Sequence, residues 1–195
     1  RQQLKKAVGQ PTFSLADFIR PTQAGGNDYI GSFAVTIHDA QKHIQAFADE
    51  QDEYNKIIVQ ILADRMVEAL AEYLHEQVRK DFWGYAAAET LSNEDLIWEK
   101  YAGIRPAPGY PACPDHTEKL KLFSMLNATE NVGITLTESL AMNPPASVCG
   151  WYIAHPDSHY FGLGKIKQDQ LTDYAARKGM SLEEATKWLR TVVEG

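Results

Sequence analysis

Residues 40–83 read AQKHIQAFADEQDEYNKIIVQILADRMVEALAEYLHEQVRKDFW. The stretch contains no proline and no glycine, and strong helix formers dominate it. It predicts one very long helix, or two nearly collinear helices broken near residues 51–54. At about 100° per residue, Gln60, Asp64, Glu68, Glu72, His75 and Arg79 share one narrow stripe. Between residues 57 and 71 only Gln60, Asp64, Arg65 and Glu68 are polar, so the helix reads as central and largely buried.

Outward from this helix the signals are shorter. The segment LKKAVGQ, residues 4–10, looks like the end of a helix closed by Gly9. Residues 14–19 and 29–38 are apolar segments separated by the loop sequence PTQAGGND, and the second reads as a strand. Ser92, with Asp95 three residues on, starts a helix that ends near Gly103. Residues 115–126 are helical again. Residues 133–138, 147–155 and 160–165 are strand candidates, and His155-Pro156-Asp157-Ser158 predicts a hairpin joining the last two. One closing helix covers 167–178 and stops at Gly179; another starts at Ser181 with a capping box to Glu184. Segregated strands and helices predict an α+β fold: an antiparallel sheet with a long central helix and several flanking helices. Residues 1–195 read as a single domain.

Composition narrows the class without deciding it. The net charge of −7 argues against a generic nucleic-acid surface. The 44% hydrophobic and 23% charged residues are ordinary for a soluble globular protein. No apolar run is long enough to span a bilayer, and the first ten residues lack the apolar core of a signal peptide. The two cysteines, Cys113 and Cys149, fit reduced thiols in a cytoplasmic protein better than a disulfide framework. Asn127-Ala128-Thr129 matches a glycosylation acceptor, which counts for little without secretion.

The chemistry concentrates in RPAPGYPACPDHTEK, residues 105–119. Four prolines between residues 105 and 114 fix φ, remove backbone donors and bias each preceding residue toward extended backbone. The result is a stiff loop carrying Arg105, Tyr110 and His116. Such a loop loses little ordering entropy when it binds a ligand. On local chemistry alone, Arg105 forms a structural salt bridge and the tyrosines pack in the core about as readily.

RPAPGYPACPDHTEK resembles the signature loop of the C-terminal activation domain of cobalamin-dependent methionine synthase. The resemblance runs through LADFI (15–19), DYIGSFAVT (28–36), residues 52–85, LTESLAM, SVCGWYIAHPDSHYFGLG and DYAARKGMSLEE. It implies most of such a domain, with the domain's N-terminal portion absent. It also implies S-adenosylmethionine as ligand, held by Arg105, Ala107, Gly109, Tyr110, Tyr160, Phe161 and Glu68. In that reading Arg105 clamps the ligand's carboxylate through a bidentate pair. Tyr110, Tyr160 and Phe161 cover the adenine or face the sulfonium. Backbone near Ala107 and Gly109 reads the adenine edge, and Gly109 permits close approach. The pocket is then composite: the loop is one wall, a Tyr160-Phe161 hairpin the second, and the Glu68 face of the long helix the floor. His116 and Asp64 are expected at the interface with a cobalamin-binding domain.

The family's activation domain supports reductive methylation of cob(II)alamin to methylcobalamin. An electron comes from flavodoxin or a related reductase and the methyl from S-adenosylmethionine. The resemblance therefore implies binding residues, no self-contained catalytic residue, and no activity of this chain alone. Cobalamin is expected mainly on another domain of the same polypeptide, and zinc only in the homocysteine domain, which this chain lacks. Unaided by the resemblance, Asp64 and Glu68 read as the solvated edge of a helix. Two rival readings stand beside it. Cys113, His116, His155 and His159 have ligand-like spacings and suggest a zinc-dependent hydrolase. A noncatalytic docking module for a flavodoxin-like reductase is the other.

Overall fold

A cap decides how the long proline-free stretch folds. The Asp52 carboxylate accepts a 3.0 Å hydrogen bond from the Asn55 amide, satisfying a donor that would otherwise be orphaned at a helix start. Gln51 just before it takes a left-handed φ of 58°. The stretch is therefore two helices, as its sequence allows, broken where expected. In the computed structural model, which describes residues 1–3 and 8–194, they are α1 (Ala40–Asp49) and α2 (Glu53–Gln77). The helix end predicted over residues 4–10 falls largely on residues 4–7, outside the described residues; Gly9 has a φ of 86°.

The remaining elements are short. Strand β1 (Gly31–Thr36) precedes α1. After α2 the chain winds through a π-turn at Val78–Phe82, then α3 (Asn93–Ile97), α4 (Glu118–Leu126) and α5 (Ala128–Val132). Strands β2 (Thr135–Leu136), β3 (Met142–Asn143) and β4 (Ser147–Tyr152) follow, then α6 (Gln168–Lys178) and α7 (Leu182–Leu189). Strands β2 and β3 pair antiparallel, with Thr135 opposite Asn143, and β1 pairs with β4. The fold is α+β, with two small two-stranded sheets and several helices among the described residues.

The chain divides into two units. One comprises Arg1–Gly31, Gly103–Glu118 and Trp151–Gly195; the other comprises Ser32–Ala102 and Lys119–Gly150. In the first, α6 packs on α7 around Ile166, Leu171, Ala175, Ala185 and Leu189. A second cluster there joins Phe18, Ile104 and Ile153, with Tyr160 and Phe161 against it. In the second unit α1 packs on α2, and Leu122 and Ile134 are fully buried. Burying each such aliphatic side chain contributes about 1.5–3 kcal/mol.

Three expectations are corrected. Helix α2 is long but not largely buried: only Ala63, Val67, Ala71 and His75 are shielded, while Ile57, Leu62, Met66 and Tyr73 are about half exposed. A nearly all-round apolar helix must find cover on every side to be central, and α2 is covered on one narrow face only. The polar stripe also changes character along its length. Gln60, Asp64 and Glu68 are exposed, whereas His75 and Arg79 are completely buried. There Arg79 forms a bidentate pair with Glu89 at 2.7–3.0 Å and lies over the Tyr101 ring, while the His75 ring meets Tyr85 Oη at 3.2 Å. Finally, residues 160–165 are not a strand and make no hairpin with β4. Their backbone instead bonds the proline-rich loop, Leu163 N donating to Pro111 O at 3.1 Å.

Helix ends follow local chemistry more closely. Ser92 and Asp95 form a reciprocal capping box, although α3 stops at Ile97, well before Gly103. Gly179 closes α6 in the left-handed conformation. At α7 only half of the expected box is made: the Ser181 hydroxyl accepts from the Glu184 amide at 3.1 Å.

Candidate functional site

The proline-rich loop is stiff for two reasons. Its prolines restrict φ, and its backbone bonds leave little slack. Ile104 and Ile153 exchange two hydrogen bonds of 2.9 and 3.0 Å, and Trp151 N donates to Pro106 O at 2.9 Å. At the apex, Gly109 N donates to Cys113 O and Cys113 N to Tyr110 O, at 2.8 and 2.9 Å. Tyr110 N closes the turn onto Ala107 O at 3.2 Å. Two backbone groups expected to read a ligand are thus already engaged within the loop: the Gly109 amide and the Ala107 carbonyl. A carbonyl keeps a second lone pair, so the Ala107 oxygen can still accept one bond.

The loop brings several predicted residues together. Arg105 N donates to the Tyr160 hydroxyl at 3.0 Å, which joins the clamp candidate directly to the aromatic pair. Tyr160 and Phe161 pack on the Phe18–Ile104–Ile153 cluster. Gly109 and Tyr110 are exposed at the apex, Tyr110 with 55% of its surface in solvent. Gly109 has φ +99°, and a Cβ there would lie 2.4 Å from Cε1 of His116. The His116 ring therefore packs directly against the apex of the loop. Asp64 and Glu68 belong to the other unit, exposed one turn apart on α2. Asp64 lines a small cleft of about 200 Å³ with Gln60, Ile37, Ala40 and Pro144.

Behind the loop lies a group that sequence reasoning treated only as a helix start. The Asp115 carboxylate is almost completely buried. It accepts bonds from the Thr117 amide and hydroxyl, both at 2.7 Å, and from the Tyr174 hydroxyl. Lys178 approaches it to 3.2 Å and also pairs with Glu118. Burial pushes the Asp115 carboxyl up, but the Tyr174 and Thr117 hydrogen bonds and the Lys178 charge outweigh it, and the net shift is down. Burial and the bond to Asp115 push the Tyr174 phenol up. Nothing local announces this group, because Asp115 and Tyr174 are 59 residues apart. A cavity of about 590 Å³ adjoins it, lined mainly by apolar side chains including Leu15, Trp151, Phe161 and Leu163. Arg105 and Tyr110 do not line that cavity.

The zinc reading finds no support. Among the described residues no three His, Cys, Asp or Glu side chains group as metal ligands. His155 and His159 instead pack edge-on or tilted against Phe13 and Phe18. Neither cysteine is in a disulfide, and both are buried. Burial pushes the Cys149 thiol up to about 11, against the nearby Lys119 charge.

Fold and site together define an α+β domain whose rigid proline-rich loop carries Arg105 and the exposed Tyr110 ring, with Tyr160 bonded to its start. The chain belongs to the family described as vitamin B12 dependent methionine synthase, activation domain, whose sequence profile matches residues 1–179. It is also similar to a crystal structure of the MetH reactivation domain bound to AdoHcy, with 54% identity and a TM-score of 0.96. That match covers 100% of this chain and 60% of the other, so the chain spans about three fifths of the length of that relative.

Proposed function

We propose that this chain binds S-adenosylmethionine, and its product S-adenosylhomocysteine, within the reactivation domain of a cobalamin-dependent methionine synthase. The observation that carries this reading is the hydrogen bond from the Arg105 amide on the rigid loop to the Tyr160 hydroxyl, in a chain 54% identical to a domain solved with AdoHcy. Arg105 offers a planar guanidinium to the ligand's carboxylate. The exposed Tyr110 ring, with Tyr160 and Phe161, offers faces to adenine or to the sulfonium. Ala107 and Gly109 let backbone approach the adenine edge. Glu68 is a further ligand-binding residue in this reading, and Asp64 and His116 face the cobalamin-binding domain of the same polypeptide.

A cobalamin held by another domain would supply the cobalt nucleophile for the sulfonium methyl group of S-adenosylmethionine, with S-adenosylhomocysteine as the leaving group. This chain's residues need neither a general base nor a covalent nucleophile for that transfer. Their task is to hold the methyl donor in one orientation, which is catalysis by positioning. Flavodoxin or a related flavoprotein reductase is the electron source in this reading, and the cytoplasm its setting. No helix among the described residues is long and apolar enough to cross a membrane. Methyltransferase activity belongs to the whole polypeptide, not to this chain alone.

Isothermal titration with S-adenosylmethionine, using the protein at its full natural length, tests the reading. Wild-type protein is expected to bind, and Arg105→Ala to bind at least tenfold more weakly, roughly the worth of a charge-assisted bidentate pair. Equal affinity in the two proteins removes Arg105 from the clamp.

A further inference from the structure

We propose that the buried Asp115–Tyr174–Lys178 cluster is a positioning device that locks the ligand-binding loop onto helix α6. The inference rests on the S-adenosyl-ligand reading above and adds to it three positioning residues, two of them on a helix remote in sequence from the loop.

The covalent path is short. Asp115 directly follows Pro114, the last proline of the loop, and directly precedes His116. The His116 ring packs against Gly109 so closely that no Cβ fits there. Fixing the Asp115 carboxylate therefore fixes the base of His116, and His116 supports the apex that presents Gly109 and Tyr110. The fixing is thorough. Thr117 grips the carboxylate twice, from its amide and its hydroxyl. Tyr174 and Lys178, four residues apart and so on one face of α6, supply the other two partners. Lys178 binds Glu118 as well, so that face of α6 holds the chain at two points just beyond the loop.

Stability alone does not account for this arrangement. A buried ion pair carries a desolvation cost that its attraction often only matches, and well-packed apolar side chains of similar volume stabilise as much or more. What charged, directional groups add is a single geometry. Loop placement is where a binding site needs one, because preorganisation lowers the cost of ordering on binding. The α6–α7 pair has an apolar core around Leu171, Ala175, Ala185 and Leu189; the Tyr174 ring packs against it, and it is the Tyr174 hydroxyl that reaches Asp115.

The test uses Tyr174→Phe and Asp115→Asn in the protein at full natural length, titrated with S-adenosylhomocysteine and followed by hydrogen exchange. Tyr174→Phe deletes one hydroxyl and keeps the ring, so it carries the result if Asp115→Asn fails to fold. The expected result is a Kd raised roughly tenfold, the scale of one hydrogen bond to a charged group. The amides of Gly109, Tyr110 and Cys113 are expected to exchange faster, while the interiors of α6 and α7 keep their protection. Unchanged affinity in the variants overturns the proposal, and so does a loss of affinity accompanied by uniformly faster exchange throughout α6 and α7, which marks a merely structural role. Arg105→Ala separates the two readings. If wild type fails to bind, the ligand assignment itself falls and this inference with it. If wild type binds, Arg105→Ala does not, and both cluster variants bind like wild type, only the positioning role is lost.

Discussion

Gly109 and Glu89 illustrate how single residues constrain this molecule. Gly109 combines a φ of +99° with direct contact to the His116 ring. Gly109→Ala adds backbone strain of about 1–3 kcal/mol and forces His116 aside. The expected outcome is a lower midpoint in chemical denaturation together with weaker S-adenosylhomocysteine binding by titration. Glu89 is the carboxylate that neutralises fully buried Arg79. Glu89→Ala leaves an uncompensated buried charge, and urea denaturation is expected to register a loss of about 3–5 kcal/mol. At this scale the sequence was only partly legible. Arg105, Gly109 and Tyr110 stood out because prolines surround them. Arg79 was placed on the correct stripe, but its burial depends on Glu89, which reaches it only after the π-turn and the Gly84 bend.

Helix α2 carries the element-scale consequence. Tyr54, Ile58, Leu62, Met66 and Tyr73 form a broad exposed apolar face. A contiguous face of this kind promotes association of the chain when nothing covers it. Ile58→Lys combined with Met66→Lys keeps good helix formers in place. Sedimentation of this chain is expected to show less self-association in the double variant, with helicity unchanged by circular dichroism. Capped helix ends were the most legible feature of the sequence, since caps act within one turn, whereas the end of α3 at Ile97 was not foreseen. Asp52, Ser92, Gly179 and Ser181 each stand at a helix end. Residues 160–165 misled because β-type residues need a neighbouring strand as well as propensity. Here the neighbour is the proline-rich loop, which accepts a bond at Pro111 and builds no ladder.

For the whole molecule, Asp115 links acidity to integrity. Its carboxyl is held below the ordinary range in the folded protein, so folding favours the ionised form. The stabilisation is full above the unfolded value of about 3.9 and drains away as pH falls from there through the folded value. Urea denaturation followed by Trp151 and Trp188 fluorescence is expected to show stability falling on acidification below about pH 5, and a flatter acid limb in Asp115→Asn. The amino-acid sequence by itself determined the α+β class, the capped helix ends, the stiff loop and its family, because proline geometry, capping and hydrophobic period all act over a few residues. Only the tertiary structure decided that α2 is covered on one face, that His75 and Arg79 are buried, and that Arg105 meets Tyr160 while Asp115 meets Tyr174. The Arg105–Tyr160 and Asp115–Tyr174 contacts join residues 55 and 59 positions apart, and no local signal encodes which distant side chain packing will bring to a given carboxylate or amide.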